Sequence, residues 1–185
     1  MARSILSRKR DLNVKGRSIL FRKRDLLYLI FFCIHLPVMF LVDLTPLYPE
    51  SMKPVFMMSL RKYYIDTYQD QFFIAPPAWF RMYMWMELLY HAPLCVWAIG
   101  ALMRNDPKIP LQLLLYACQT GMTTITCIAD YLSWKSFSSN QKLRLGALYV
   151  PYLALSVFMG VDMLGRLNER LNEHSAKSKK SGKKA

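Results

Sequence analysis

Apolar residues along this chain fall in long blocks. Four of the blocks, over 26–46, 77–103, 109–134 and 145–164, are long enough to cross a bilayer, which takes about 20 residues at 1.5 Å rise each. The pattern predicts an all-α polytopic membrane protein, a four-transmembrane-helix bundle. Little chain is left over: an arm at 1–25, the four-span domain at 26–164, and a tail at 165–185. Pro37, Pro93 and Pro151 lie inside spans, where each removes a backbone hydrogen bond and kinks its helix.

Polar residues recur within the spans at spacings of three and four, so they share helix faces. Phe80, Tyr83, Glu87, His91 and Leu94 make one stripe in span two. Gln112, Tyr116, Gln119, Thr123, Cys127 and Asp130 make another in span three, and Tyr149, Tyr152 and Ser156 a third in span four. Glu87 lies about 15 Å beyond Pro77, near the midplane. In span one His35 is about 14 Å from the start of the apolar block and Asp43 about 26 Å. Ionisable groups at such depths are costly and mark functional sites by default. Kinked helices with inward polar stripes predict a cavity at the centre of the bundle. A tightly packed bundle joined by Ser, Thr and Gln is the plainer alternative.

Charge adds orientation. The chain carries a net +13, and 54% of its residues are apolar. Nine of its 25 basic residues precede Leu26, and seven lie from Arg166 onward. Positive charge gathers on the cytosolic side, so both termini are expected there and the connector at 47–76 in the lumen. The charge sits in tails around a membrane body, which excludes a nucleic-acid-binding surface. Cys33, Cys95, Cys118 and Cys127 all fall in spans without a C-x-x-C pair and are expected to be small buried hydrophobes. The first span reads as a signal anchor that is not cleaved.

Outside the spans, "RSILSRKRDL" at 3–12 is repeated almost unchanged as "RSILFRKRDL" at 17–26. This arm is expected to be disordered, or to lie on anionic lipid. The polar tail "HSAKSKKSGKKA" is expected to be disordered, and its lysines partly match the dilysine signal for the endoplasmic reticulum. Within the connector, "PVFMMSLRKYYIDTYQ" predicts a short interfacial helix with Phe56, Leu60 and Tyr64 on one side.

Carboxylates with no basic residue nearby in the spans are protonated, share a proton, or meet a cation from outside. Aromatic neighbours add cation–π attraction for an amine. The expected ligand is therefore a rigid, largely apolar molecule such as a sterol, or an amphiphilic amine, entering from lipid. No metal site or cofactor is expected.

"HLPVMFLVDL", "DQFFIAPPAWFRMYMWMELL", "GMTT" and "LYVPYL" together resemble the sigma-2 receptor (transmembrane protein 97) family of EXPERA-domain proteins, which also include the emopamil-binding sterol isomerase. The resemblance runs from about Leu26 to Leu164. It implies a four-helix protein of the endoplasmic reticulum membrane, extending to the nuclear envelope, with a pocket for sterols and cationic amphiphiles. Sterol-transport membrane proteins are the partners it implies, with a homodimer left open. Asp43 matches the aspartate that pairs with the ligand amine, Asp70 a second supporting acid, and Glu87 a protonated hydrogen-bonding partner. Thr124 and Tyr152 match pocket-lining positions, as do the hydrophobic walls Phe80 and Tyr83. Tyr149 and His35 are further candidates. His91 stands where the resemblance implies glutamine, which replaces an amide by a titratable imidazole.

Two other functions compete with a sterol-binding receptor. A sterol isomerase needs one acid to protonate the alkene and a base to remove another proton. His35 and Glu87 resemble part of that machinery, but Met39 occupies the position, one turn after the histidine, of the isomerase glutamate. A non-catalytic role as a trafficking partner for other membrane proteins is the third reading.

Overall fold

The computed structural model describes residues 18–182, with side chains up to Ala176, and among these residues there is no strand. The repeat's first copy lies outside the described residues. Helix α1 (Lys23–Val38) passes into a π-helical turn over Met39–Asp43. Single 3-10 turns then lead to α2 (Val55–Tyr68) and the one-turn α3 (Gln71–Ile74). Next come α4 (Ala78–Met86), a second π-helical turn over Glu87–His91, and α5 (Ala92–Arg104), which form one continuous rod. Helices α6 (Ile109–Ser133) and α7 (Ser139–Gly182) complete the fold.

Three of the four long segments are apolar enough to cross a membrane by themselves: Lys23–Asp43, Ala78–Arg104 and Ser139–Ala176. The protein is an all-α membrane protein. Helix α6 occupies the third expected block and, at 25 residues, is about 37 Å long. Its polar residues explain why its mean hydropathy is lower, because they turn inward. The buried positions Leu113, Tyr116, Thr120, Thr124, Cys127 and Tyr131 form one stripe. That stripe is rotated from the expected one: Tyr116 and Cys127 stay in it, while Gln112, Gln119, Thr123 and Asp130 lie at its half-buried edge.

Helices α6 and α7 pair most closely, and α1 packs on α5. Small residues permit the first pairing. A Cβ on Gly146 would sit 3.1 Å from the Tyr131 hydroxyl, and one on Gly121 3.3 Å from Ser156 Oγ. Two apolar cores result. One, around Tyr28, Phe32, Met39, Ala98, Leu102 and Met163, joins α1, α5 and α7. The other, around Phe72, Phe73, Phe80, Met84 and Leu145, closes the opposite end. There Phe72 stacks on Phe80 at 5.0 Å and meets Trp134 edge-on at 4.8 Å.

Several expectations change. Pro37 precedes one π-helical turn and Pro93 follows the other, whereas Pro151 lies within an unbroken helix. Pro93 has no N–H for the carbonyl one turn back, and the chain widens just before it. Cys95 and Cys127 are buried, but Cys33 and Cys118 are exposed on the lipid-facing surface. Helix α7 continues through the tail to Gly182 instead of ending near Leu164. In α2 the inward face carries Met57, Arg61, Tyr64 and Tyr68, while Phe56 and Leu60 point outward. The connector therefore caps the bundle. Arg61 donates to the Phe73 carbonyl at 2.7 Å, and Gln141 to Gln69 Oε1 at 2.6 Å, which fasten that cap to α3 and α7.

Candidate functional site

A cavity of about 450 Å³ lies between the two apolar cores. Helix α1 and its π-helical turn contribute His35, Val38, Val42 and Asp43. The α4–α5 rod contributes Phe80, Tyr83, Met84, Met86, Glu87 and His91. Helix α6 adds Thr120, Thr123, Thr124 and Cys127, and α7 adds Leu148, Tyr149 and Tyr152. Tyr64, Tyr68 and Phe73 close it from the connector. Of the ten residues singled out from the sequence, nine line this space; Asp70 does not.

Both cavity acids stand on backbone irregularities. Asp43 is the last residue of the first π-helical turn and Glu87 the first of the second. Each turn is closed by a bond spanning five residues, from Leu44 N to the Met39 carbonyl and from Ala92 N to that of Glu87. The extra residue shifts the phase of the following side chains relative to an α-helix, a device found often at functional sites. Neither carboxyl has a hydrogen-bond or ion-pair partner among the described residues. The walls around them are aromatic or apolar.

Asp70 works from behind the wall. It is fully buried and caps α3, with Oδ1 accepting from Phe72 N at 2.9 Å. Its Oδ2 accepts from Tyr64 OH at 2.8 Å and Tyr149 OH at 2.9 Å. Burial pushes the Asp70 carboxyl above the ordinary carboxylate value, opposed by these three hydrogen bonds. The second acid thus fixes two lining tyrosines from two different elements without itself lining the cavity. A buried acceptor with three donors is a rigid anchor.

At the other side of the cavity, His35 is held by a hydrogen bond between Nε2 and Tyr152 OH at 2.9 Å, and it stacks on Phe31 at 5.2 Å. The hydroxyls of Tyr152 and Tyr116 lie 3.1 Å apart. This chain joins α1, α7 and α6. The buried His91 packs against Tyr116 at 5.0 Å between ring centres, and its Nε2 has no hydrogen-bond partner among the described residues. Val38 and Leu148, on α1 and α7, are lining residues that also face outward, so the cavity rim meets lipid between these helices.

Sequence reasoning missed Tyr64, Tyr68, Phe73 and Thr120. The aromatic density of "YYIDTYQDQFF" was the available signal, with Tyr64 and Tyr68 one turn apart. It also missed an ion-pair cluster at the opposite end of the bundle. Asp25 meets Arg22 at 2.7 Å and Arg166 at 2.6 Å. Asp162 meets Arg24 and Arg166 at 2.7 Å each and accepts from Tyr28 OH at 2.9 Å. Asp25 lies one residue before the first expected span and Asp162 two residues inside the end of the fourth, so neither fell on a polar stripe.

Fold and site together define a membrane protein with an acid-bearing cavity among its helices. The chain belongs to the EXPERA (EXPanded EBP superfamily) family, whose model matches residues 56–163. It is 30% identical over 156 residues to Efficient mitochondria targeting-associated protein 19 of Schizosaccharomyces pombe, covering 83% of this chain and 81% of that one. It is 27% identical over 148 residues to the human Sigma intracellular receptor 2, covering 73% and 84%. For the Xenopus tropicalis receptor of the same name the identity is 26% over 147 residues, covering 75% and 86%. The resemblance read from the motifs is thus established, and the family makes this a sterol-related membrane protein.

Proposed function

We propose that this protein is an intramembrane binding protein for sterols and cationic amphiphilic amines, acting in sterol homeostasis or trafficking in the endoplasmic reticulum membrane. The observation that carries the reading is the pair of cavity carboxyls, Asp43 and Glu87, with no lysine or arginine lining the cavity among the described residues. The volume of about 450 Å³ falls in the range of pockets that enclose a small rigid ligand. In this reading Asp43 is the counter-ion of a ligand amine, with Glu87 beside it. Asp70 acts as a positioning residue through Tyr64 and Tyr149. Phe80, Tyr83, Thr124 and Tyr152 shape the wall.

A binding role is favoured over isomerisation by Met39. It is fully buried in the apolar core instead of facing the cavity, so the second proton-handling group of an isomerase is missing one turn after His35. The relatives named Sigma intracellular receptor 2 support the same choice.

The test is Asp43→Asn, which keeps shape and removes charge. A charge-assisted hydrogen bond in a dry site contributes about 1.5–3 kcal/mol. A cationic amphiphile should therefore bind roughly ten- to hundredfold more weakly, while a neutral sterol changes little. Equal losses for both ligands, accompanied by a lower melting temperature, would mean that Asp43 only joins helices.

A second reading draws on the fission-yeast relative, whose name associates it with efficient mitochondria targeting. If this chain serves protein trafficking instead, it should complement a fission-yeast strain lacking that relative, and Asp43→Asn should do so equally well.

A further inference from the structure

A second recess is built on the outer surface of the bundle and shares no lining residue with the cavity. It is a groove of about 360 Å³ between α5 and α6, walled by Leu89, Pro93 and Trp97, with Tyr90 and Gln112 as polar edges and Lys108 at one end. Leu89 is largely exposed, so the groove opens toward lipid. We propose that it binds an anionic glycerophospholipid, with an acyl chain along Leu89, Pro93 and Trp97 and the phosphate between Lys108 and Arg104. This does not depend on the ligand proposed for the cavity.

Two cations are held at the end of this groove. Pro93, Trp97, Gly100 and Arg104 follow spacings of four, three and four and share one face of α5. Helical side chains lean toward the helix N-terminus, which here is toward the bilayer interior. Arg104 does so: a Cβ on Gly100 would lie only 2.9 Å from its Nη1. The guanidinium thus occupies space that the glycine leaves open, one turn back along the face that carries Trp97 and Pro93. Lys108 stands across the loop, immediately before α6.

Neither side chain has an ion-pair or hydrogen-bond partner among the described residues, whereas Arg22, Arg24 and Arg166 at the same end are all paired. Arg170 is engaged with the Pro107 carbonyl. The nearest acid in sequence, Asp106, already accepts from the backbone N–H of Lys108 at 2.8 Å. Two unpaired cations at headgroup depth beside an apolar groove call for an external anion carrying a hydrocarbon chain. A zwitterionic lipid brings its own ammonium, so the match is with a lipid of net negative charge.

The experiment is native mass spectrometry of the full chain in neutral detergent, with dioleoyl phosphatidylserine or dioleoyl phosphatidylcholine added. Each cation near anionic lipid contributes about fivefold in affinity, so the pair should give roughly a thirtyfold preference for phosphatidylserine. Arg104→Gln with Lys108→Gln should abolish it. Gly100→Ala retains both charges and favours the helix, yet it displaces the guanidinium and should lose about fivefold. Lys62→Gln, at the other end of the bundle, should change nothing. Equal retention of the two lipids, undiminished preference in the double variant, or an equal loss with Lys62→Gln would overturn the proposal. Displacement of the lipid by millimolar inorganic phosphate would overturn it too, because it would mark a simple anion site without a role for the groove.

Discussion

Asp25→Asn should cost this protein more stability than any single exposed ion pair, and the cluster at that end of the bundle sets the size of the effect. The Asp25 and Asp162 side chains are only 5% and 3% exposed, and Arg22 only 11%. Arg22 also donates to the Leu102 carbonyl at 2.6 Å and to Asn105 Oδ1 at 3.1 Å, so the cluster binds the start of α1 to the end of α5 and to α7. Breaking a buried pair from one side costs about 3–5 kcal/mol, because the remaining charge is left uncompensated. Here the lower end applies. Arg22 keeps its bonds to Leu102 and Asn105, Arg166 keeps Asp162, and asparagine still offers an acceptor. At roughly 2–4 °C per kcal/mol for a chain of this size, about 3 kcal/mol lowers the melting temperature by roughly 6–12 °C. The assay is thermal unfolding in detergent micelles, with Lys62→Gln as the reference. The Lys62–Asp66 pair is 75% and 60% exposed, and such pairs contribute about 0–1 kcal/mol. Ligand affinity should hold at temperatures where Asp25→Asn remains folded, because the cluster shares no residue with the cavity. A drop no larger than that of Lys62→Gln would refute the assignment of a buried clasp.

Two further outcomes test the cap and the orientation. Because burial raises the Asp70 carboxyl in the folded protein, the unfolded chain ionises first as pH rises above 3.8. Asp70 therefore contributes stability that is greatest at acid pH and falls as pH rises toward its folded value. Melting curves of Asp70→Asn across that range should lack this downward slope, and an identical slope in both proteins would show that Asp70 does not titrate there. A glycosylation acceptor engineered at Ser51 should be modified in microsomes and one beside Asp106 should not; the opposite pattern would invert the proposed topology.

Much of this protein is legible from its sequence because a bilayer imposes a simple demand. Helices must satisfy their own backbone bonds and present apolar residues to lipid, so long apolar blocks reveal the helices. Any polar stripe must then face inward. The stripe Phe80, Tyr83, Glu87, His91 was readable for that reason, as were Tyr149 and Tyr152 on α7. Tertiary structure alone decided the rest. Regular helical spacing does not announce a π-helical turn, yet those turns position Asp43 and Glu87. Asp70 was recognisable as an acid near the site, but its hold on Tyr64 and Tyr149 required α2, α3 and α7 to meet across 79 residues of sequence between Asp70 and Tyr149. Asp25 and Asp162 are 137 positions apart in sequence, and nothing local marks them as members of one buried cluster. Their shared arginine, Arg166, is what joins them. A one-dimensional pattern records which face of a helix turns inward, and only the packing of helices determines what that face meets.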